Sequence, residues 1–128
     1  MTPTKPNAKP LPIAVVMITL NEAHNLEAVL DNIQDWAEEV FIVDSYSSDE
    51  TVDIALRRGV YVVQRAFRGF GDQWNFALTQ LPIKAKWTMK LDPDERIPEA
   101  LKSEIVNAIG IPRINAYLMN IRLFFMEK

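Results

Sequence analysis

The chain has 128 residues, of which 48% are hydrophobic and 24% are charged, the balance of a single globular domain. Its formal net charge of -3 argues against a general nucleic-acid binder, which needs a basic surface. Because there is no cysteine and only one histidine, His24, the sequence excludes disulfides, thiolate zinc sites and multi-histidine metal sites. No apolar run approaches the roughly 20 residues that span a bilayer, and the composition is compatible with the cytoplasm.

The first strand and helix follow a polar, proline-rich start. We predict that residues 1–11 form a disordered lead-in and that residues 12–128 form the domain. The run IAVVMIT at residues 13–19 predicts a strand that is buried on both faces. A helix follows, and its apolar residues recur at helical spacing: Leu26, Val29, Leu30, Ile33, Trp36 and Ala37.

The strand–helix pattern then repeats. The run VFIV at residues 40–43 predicts a second strand, and Ser47 with Glu50 has the spacing of a capping box before a second helix. Gly59 is expected to end this helix, and residues 60–63 to form a third strand. The apolar stripe of the second helix is predicted to consist of Val52, Ala55 and Leu56.

A third helix is predicted to stop at Pro82, with residues 86–91 forming a fourth strand and Pro98 lying in the first turn of a fourth helix. The stripe of the third helix reads Phe70, Trp74, Ala77, Leu78 and Leu81, and that of the fourth reads Leu101, Ile105, Ala108 and Ile109. Residues 114–125 favour a further strand, whose open edge could pair with a second copy of the chain. Because the chain stops there, we expect a domain truncated at its carboxyl end.

The alternation of strands and helices predicts an open, mostly parallel, Rossmann-like α/β sheet with helices on both faces. Such sheets bind ligands beyond the carboxyl ends of their strands. Three polar clusters fall at those ends: the segment from Thr19 through Asn21 to Glu22, the pair Asp44-Ser45, and the triplet Asp92-Pro93-Asp94. Their convergence on one edge of the sheet is what indicates a site.

Each cluster also has a structural interpretation. Asp92 and Asp94 can hold a hard cation such as Mg²⁺ or Mn²⁺ together with substrate phosphates, or the triplet can be a simple turn. Asp44 can accept hydrogen bonds from a nucleobase or ribose, or from backbone N–H groups of the serine-rich turn. Asn21 and Glu22 can face an anion at a helix start or merely cap the helix.

Four motifs in order resemble one known family: Thr19-Leu20-Asn21-Glu22, Val43-Asp44-Ser45-Tyr46-Ser47-Ser48-Asp49-Glu50-Thr51, the segment GFGDQWNFAL at 69–78, and Leu91-Asp92-Pro93-Asp94-Glu95. The series is similar to family 2 glycosyltransferases of the GT-A fold, and within them to the branch that builds lipopolysaccharide core and other bacterial surface glycans. The resemblance covers residues 12–125.

The resemblance implies roles for these residues. The loop with Thr19, Asn21 and Glu22, together with Asp44, would contact the nucleoside of a nucleoside diphosphate sugar, with a UDP-sugar as the expected donor. Asp92 would face the ribose and the metal, and Asp94 would bind the divalent metal. The sugar would pass, with inversion, to a glycan or lipid-linked acceptor at the inner face of the cell membrane, which is compatible with peripheral membrane association. The general base would lie beyond residue 128, so no catalytic base is assigned.

Two other classes of protein fit parts of the pattern. A non-catalytic nucleotide-binding or assembly module would explain a chain without an acceptor half. A phospho-acceptor signalling domain has a similar length and alternation, but it needs paired acidic residues after the first strand and an aspartate after the third. Here the first strand ends in Asn21-Glu22, and Val63-Gln64-Arg65 follows the third.

Overall fold

The fold was analysed in a computed structural model that describes residues 10–109 and 125–127. Its strands are β1 (Leu11–Thr19), β2 (Ala37–Asp44), β3 (Tyr61–Gln64), β4 (Trp87–Lys90) and β5 (Phe125–Glu127). Its helices are α1 (Ala23–Ile33), α2 (Thr51–Arg57), α3 (Phe70–Gln80) and α4 (Glu99–Ile109). The predicted lead-in, apart from its end at residues 10 and 11, and the strand region at 114–125, apart from Phe125, lie outside the described residues.

The strands form one sheet in the order β3-β2-β1-β4-β5. Strand β1 pairs in parallel with β2 and β4, and β2 pairs in parallel with β3, whereas β5 pairs antiparallel with β4. The prediction of an open, mostly parallel α/β sheet is therefore confirmed. Because β1 is central, its carboxyl end at Thr19 lies between those of β2 and β4, where crevices of such sheets receive ligands.

Two apolar cores cover the two faces of the sheet. On one face Ile13, Val15 and Met17 of β1 pack with buried residues of α1, α2 and α4, and on the other face Ala14 and Val16 pack with Ala77 of α3 and the segment after it. This alternation follows from the opposite directions of successive side chains in a strand. Helices on both faces were predicted and are confirmed.

Several local predictions were wrong because contacts between distant segments decide them. Helix α1 ends at Ile33, and Ala37 begins β2, since the N–H of Trp36 closes the helix on Ile33 and the Trp36 carbonyl accepts from the N–H of Leu11. That bond also places Leu11 in β1 rather than in the lead-in.

Leu56 is 60% exposed and Phe70 is 66% exposed, so neither of these predicted stripe residues belongs to the core. Instead Ile54 and Ala55 carry the inner face of α2.

Among the described residues, no helix has the length and apolar character needed to cross a membrane.

A buried leucine of α1 and the exposed leucine of α2 can be compared to test whether Leu56 lies outside the core. Leu30 of α1 is fully buried, so we expect Leu30→Ala to lower the free energy of unfolding by roughly 2–5 kcal/mol through lost transfer and a cavity. The same change at the exposed Leu56 should cost less than about 1 kcal/mol. Urea unfolding of both variants measures the difference, and equal losses would contradict the assignment of Leu56 to the surface.

Candidate functional site at the carboxyl edge of the sheet

The loops after β1, β2 and β3 are held together at the carboxyl edge of the sheet. The parallel register places Thr19 beside Asp44, and Asp44 beside Gln64. Beyond the strands the ladder continues, because the N–H of Ser45 donates to the carbonyl of Thr19 at 2.9 Å and the N–H of Arg65 donates to that of Asp44 at 2.8 Å. The predicted convergence of Thr19 and Asp44 is therefore seen directly.

The carboxylate of Asp44 is fully buried and accepts four hydrogen bonds. Its Oδ1 accepts from the Thr19 hydroxyl at 2.7 Å and from the Ser47 hydroxyl at 2.5 Å. Its Oδ2 accepts from the Ser47 N–H at 2.8 Å and from Nε2 of Gln64 at 3.2 Å. Both the hydroxyl and the N–H of Ser47 therefore donate to Asp44. The predicted capping box of Ser47 and Glu50 is wrong, because the side chain of Glu50, the N-cap residue of α2, makes no capping hydrogen bond.

Opposing effects set the pKa of Asp44. Burial of the carboxyl raises the pKa, while the bonds from the side chains of Ser47 and Thr19, from the Ser47 N–H and from Gln64 lower it, and the balance places it below the ordinary value of 3.8. All four donors are uncharged, so hydrogen bonding alone offsets the cost of burying this charge. The carboxylate is ionised at neutral pH.

This lowered pKa predicts a pH-dependent contribution of Asp44 to stability. Because the folded pKa lies below the unfolded one, the contribution is fully present above the unfolded value and is lost as the pH falls through the folded value. We expect Asp44→Asn to lower the free energy of unfolding by roughly 1–3 kcal/mol at pH 7 and by clearly less at the acid end. Urea titrations at a series of pH values test this, and a loss independent of pH would contradict it.

The β1–α1 loop is cross-linked to the β2–α2 loop. The N–H of Asn21 donates to the Ser47 hydroxyl at 2.8 Å, and the Asn21 amide oxygen accepts from the N–H of Ser48 at 2.8 Å. The N–H of Glu22 donates to the Thr51 hydroxyl at 2.9 Å. Asn21 thus holds the neighbouring turn rather than capping α1, while its side chain remains exposed at the edge of the sheet.

Asp49 caps two helices at once. Its Oδ1 accepts from the N–H of Thr51 at 2.9 Å, and its Oδ2 accepts from the N–H of Ala23 at 3.1 Å. Asp49 therefore bonds to the first N–H group of each helix, α1 and α2. His24 is exposed.

Two non-glycine residues of these loops have left-handed backbone conformations. Asn21 has φ of 53° and Tyr46 has φ of 59°. Asparagine adopts this region readily, but for a bulky side chain such as that of Tyr46 it costs of order 1–3 kcal/mol and persists only when neighbouring contacts enforce it. The bonds of Ser45 to Thr19 and of Ser47 to Asp44 flank Tyr46 and enforce its conformation.

Gln73 joins α3 to the same group of loops, and the sequence analysis missed it. It is fully buried, and its Nε2 donates to the Ser45 hydroxyl at 3.0 Å and to the Arg65 carbonyl at 3.2 Å. Its Oε1 accepts from Nη1 of Arg65 at 2.9 Å. The available signal was a polar residue four positions before Ala77, at helical spacing on the same face of α3. Its neighbour Trp74 packs partly buried against the second core.

Loss of the Gln73 amide should therefore leave buried polar groups unpaired. We expect Gln73→Met, which keeps the length of the side chain, to lower the free energy of unfolding by roughly 1–3 kcal/mol. The exposed Gln80 of the same helix provides a matched control, and Gln80→Met should change stability by less than about 0.5 kcal/mol. Chemical denaturation measures both, and a silent Gln73→Met would show that the buried amide contributes nothing to stability.

The acidic turn after β4 is built differently. Asp92, Asp94 and Glu95 are all exposed, and the Asp92 N–H donates to Oε1 of Glu95 at 2.9 Å. Within the described part of the chain, the carboxylates of Asp92 and Asp94 have no hydrogen-bonding or ion-pair partner, and no hydrogen bond joins them to Asp44. They reach the same edge of the sheet because the N–H of Leu91 donates to the Val16 carbonyl at 3.1 Å.

This donor set fits a hard divalent cation that is shared with a substrate. No group of three or more acidic or histidine side chains that could enclose a metal is found among the described residues. Two unpaired carboxylate groups two residues apart are what Mg²⁺ or Mn²⁺ uses when phosphate oxygens and water complete its shell. The arrangement suits a metal that arrives with a diphosphate rather than a permanent, all-protein cage.

Residues of α1 form hydrogen bonds with the segment that contains and follows the acidic turn. The Asn32 amide pairs with the backbone of Ile97 in both directions, donating at 3.0 Å and accepting at 2.7 Å. Arg96 donates to the carbonyls of Pro93 and Asn25 at 2.8 and 3.4 Å. The acidic turn is thereby fixed to the helix that begins at the β1–α1 loop, so both halves of the candidate site share one support.

Residues 14–128 match the family described as Glycosyl transferase family 2. The chain belongs to this family. A Rickettsia bellii protein described as an uncharacterized glycosyltransferase is 34% identical to this family 2 chain over 117 residues, which are 91% of this chain and 39% of that protein. The chain spans about two fifths of the length of the curated relatives it matches.

Solved structures share the fold of this family 2 chain. Staphylococcus aureus TarS matches 76% of this chain and 32% of its own length with a TM-score of 0.64 at 24% identity, a likeness of fold. The glucosyl-3-phosphoglycerate synthase of Mycobacterium tuberculosis, in complex with Mn²⁺, UDP and glucosyl-3-phosphoglycerate, matches 66% of this chain and 35% of its own length, with a TM-score of 0.52 at 25% identity.

Proposed function

We propose that this chain is the donor-binding part of a glycosyltransferase that transfers a sugar from a nucleoside diphosphate sugar to a glycan or lipid-linked acceptor. The observation that carries the proposal is the composition of one sheet edge. There, a group of cross-linked loops adjoins an acidic turn in which the carboxylates of Asp92 and Asp94 have no partner in the described structure. A donor needs both parts, since its nucleoside requires a fixed surface and its diphosphate requires compensation of charge.

The nucleoside is assigned to the exposed surface of the β1–α1 loop. Asn21 is exposed and Glu22 is half-buried, so both can reach a ligand, and Asp92 faces the same edge of the sheet. Thr19 and Asp44 were also predicted to contact the nucleoside, but both are buried and bonded to each other beneath this surface. Uridine is the proposed nucleoside, which the UDP complex of the mycobacterial relative supports.

The diphosphate and its metal are assigned to the acidic turn. Asp92 and Asp94 would hold Mg²⁺ or Mn²⁺, and the Mn²⁺ in the mycobacterial structure supports this choice. A bound divalent cation supplies Lewis-acid stabilisation of the charge on the departing diphosphate. The chain's own contribution is to hold the two carboxylates in place through the bonds of Asn32 to Ile97 and of Arg96 to Pro93.

The remaining parts of the reaction are proposed from the family. An acceptor hydroxyl would attack the anomeric carbon of the donor sugar with inversion and displace the nucleoside diphosphate. A carboxylate would take the proton of that hydroxyl. No residue of this chain is proposed as that base, since Glu95 is part of the metal turn and bonds to the Asp92 N–H. A lipopolysaccharide core or another bacterial surface glycan is the proposed acceptor, at the inner face of the cell membrane, and pairing of two copies through the last strand remains part of the proposal.

A second candidate is a nucleotide-binding or assembly module without turnover. The observation in its favour is that the cross-linked loops and the acidic turn account for binding of a nucleotide without any transfer of sugar. The two candidates share the donor site and differ only in sugar transfer. Release of UDP from a UDP-sugar by this chain in the presence of acceptor glycan would favour the transferase, and binding of the nucleotide without release would favour the module.

The donor site itself is tested by calorimetric titration with UDP. We expect binding that depends on Mn²⁺, and Asp94→Ala should weaken it by roughly tenfold or more because half of the protein's metal ligands are removed. Asp35→Ala is a matched control, since Asp35 is an exposed carboxylate at the opposite end of β2. Binding by a folded chain that is indifferent to both Mn²⁺ and Asp94 would contradict the assignment of the metal to the acidic turn.

A further inference from the structure

The Asp44 carboxylate has no remaining capacity to accept a ligand. A carboxylate offers about four lone-pair positions, and Asp44 uses two on each oxygen. The side chain is also 0% exposed. A nucleobase or ribose could reach it only by displacing the side chains of Thr19, Ser47 or Gln64, each of which would then lose its own partner.

The four bonds connect three separate parts of the site. Thr19 ends β1, Gln64 ends β3, and Ser47 lies in the β2–α2 loop. Ser47 passes the connection on, because its hydroxyl donates to Asp44 and accepts from the N–H of Asn21 at 2.8 Å. The position of the exposed Asn21 is therefore fixed through Ser47 by a charge that Asn21 does not touch.

The same bonds maintain strained backbone. Tyr46, with φ of 59°, lies between Ser45 and Ser47, whose N–H groups donate to the Thr19 carbonyl and to Oδ2 of Asp44. An ionised carboxylate accepts hydrogen bonds more strongly than a neutral amide. The charge at position 44 therefore favours the loop conformation in which Ser47 donates to it.

We propose that Asp44 is a positioning residue that clamps the β1–α1 and β2–α2 loops in one arrangement, and that a nucleotide binds to the loops so held rather than to the Asp44 carboxylate. The second half of this statement rests on the proposed function, and the first half does not. Asp44→Asn isolates the clamp, because it keeps the shape of the side chain but turns one acceptor atom into a donor that faces other donors.

Hydrogen exchange of the chain without ligand tests the clamp. Because Asp44→Asn also lowers global stability, the amides of Val15 and Val16 in β1 report that general loss of protection. We expect exchange at the amides of Ser47 and Asn21 to accelerate at least about tenfold more than exchange at these two β1 amides. Asp35→Asn makes the same chemical change at an exposed carboxylate and should leave all four amides unchanged. Equal acceleration at all four positions, or none at Ser47 and Asn21, would overturn the clamp.

Ser47→Ala keeps the proposal testable if Asp44→Asn does not fold. It removes the hydroxyl that connects Asn21 to Asp44 but leaves the Ser47 N–H and the Asp44 charge in place. We expect faster exchange at Asn21, with the amides of β1 retained. Protection of the Asn21 amide equal to that in the parent chain would show that the connection through Ser47 does not hold the loop.

Titration with UDP, CDP and ADP in Mn²⁺ tests the second half. If Asp44 is a positioning residue, Asp44→Asn should weaken the binding of every nucleotide that the parent chain binds by the same factor. The reason is that the substitution disorders the whole surface of the two loops. A direct contact with the base predicts a changed ratio between nucleotides, because bases differ in their donors and acceptors, and that result would overturn the proposal. If the parent chain binds none of them, the proposed function fails, while hydrogen exchange still decides the clamp.

Discussion

A buried negative charge that is stabilised only by uncharged donors organises this protein's candidate site. Removing a carboxylate from water is costly unless its hydrogen-bonding capacity is filled, and Asp44 is filled by Thr19, Ser47 and Gln64. The requirement acts in both directions. Because the carboxylate needs its donors, the ends of β1, β2 and β3 and the turn after β2 have to stay together. The positions of the loops that follow these strands are fixed as a result.

The carboxyl edge of the sheet therefore combines two kinds of construction. Around Asp44 and Gln73, polar side chains are buried and bonded to one another, which gives a fixed surface for recognition. At the acidic turn, Asp92 and Asp94 are exposed and their carboxylates have no partner in the described residues, which leaves them available to a cation. Helix α1 links the two, since its start lies in the first group and its Asn32 holds the backbone after the acidic turn. The proposed donor has a neutral ring system at one end and a diphosphate at the other, which matches these two kinds of construction.

Family membership and geometry inform different parts of the functional argument. The match of residues 14–128 establishes glycosyl transferase family 2, and the likeness to TarS establishes a shared fold. Neither says which groups of this chain touch a donor. Burial and bonding are the basis on which the proposed donor contacts are chosen. They separate exposed or half-buried residues such as Asn21, Glu22 and Asp92 from Thr19 and Asp44, although the sequence places all five at strand ends.

The sequence by itself determined the alternation of strands and helices and the strand ends at which polar residues fall. It could do so because a strand buried on both faces must be a continuous apolar run, and because turn residues and glycine act locally, as Gly59 does after α2. The tertiary structure alone decided the end of α1 at Ile33, the exposure of Leu56, the hydrogen bond from the Ser47 hydroxyl to Asp44 and the burial of Gln73. Each of these depends on a partner from another segment, such as Leu11 for Trp36 or Arg65 for Gln73. The energy of such contacts depends on distances between segments, which local patterns of residues do not specify.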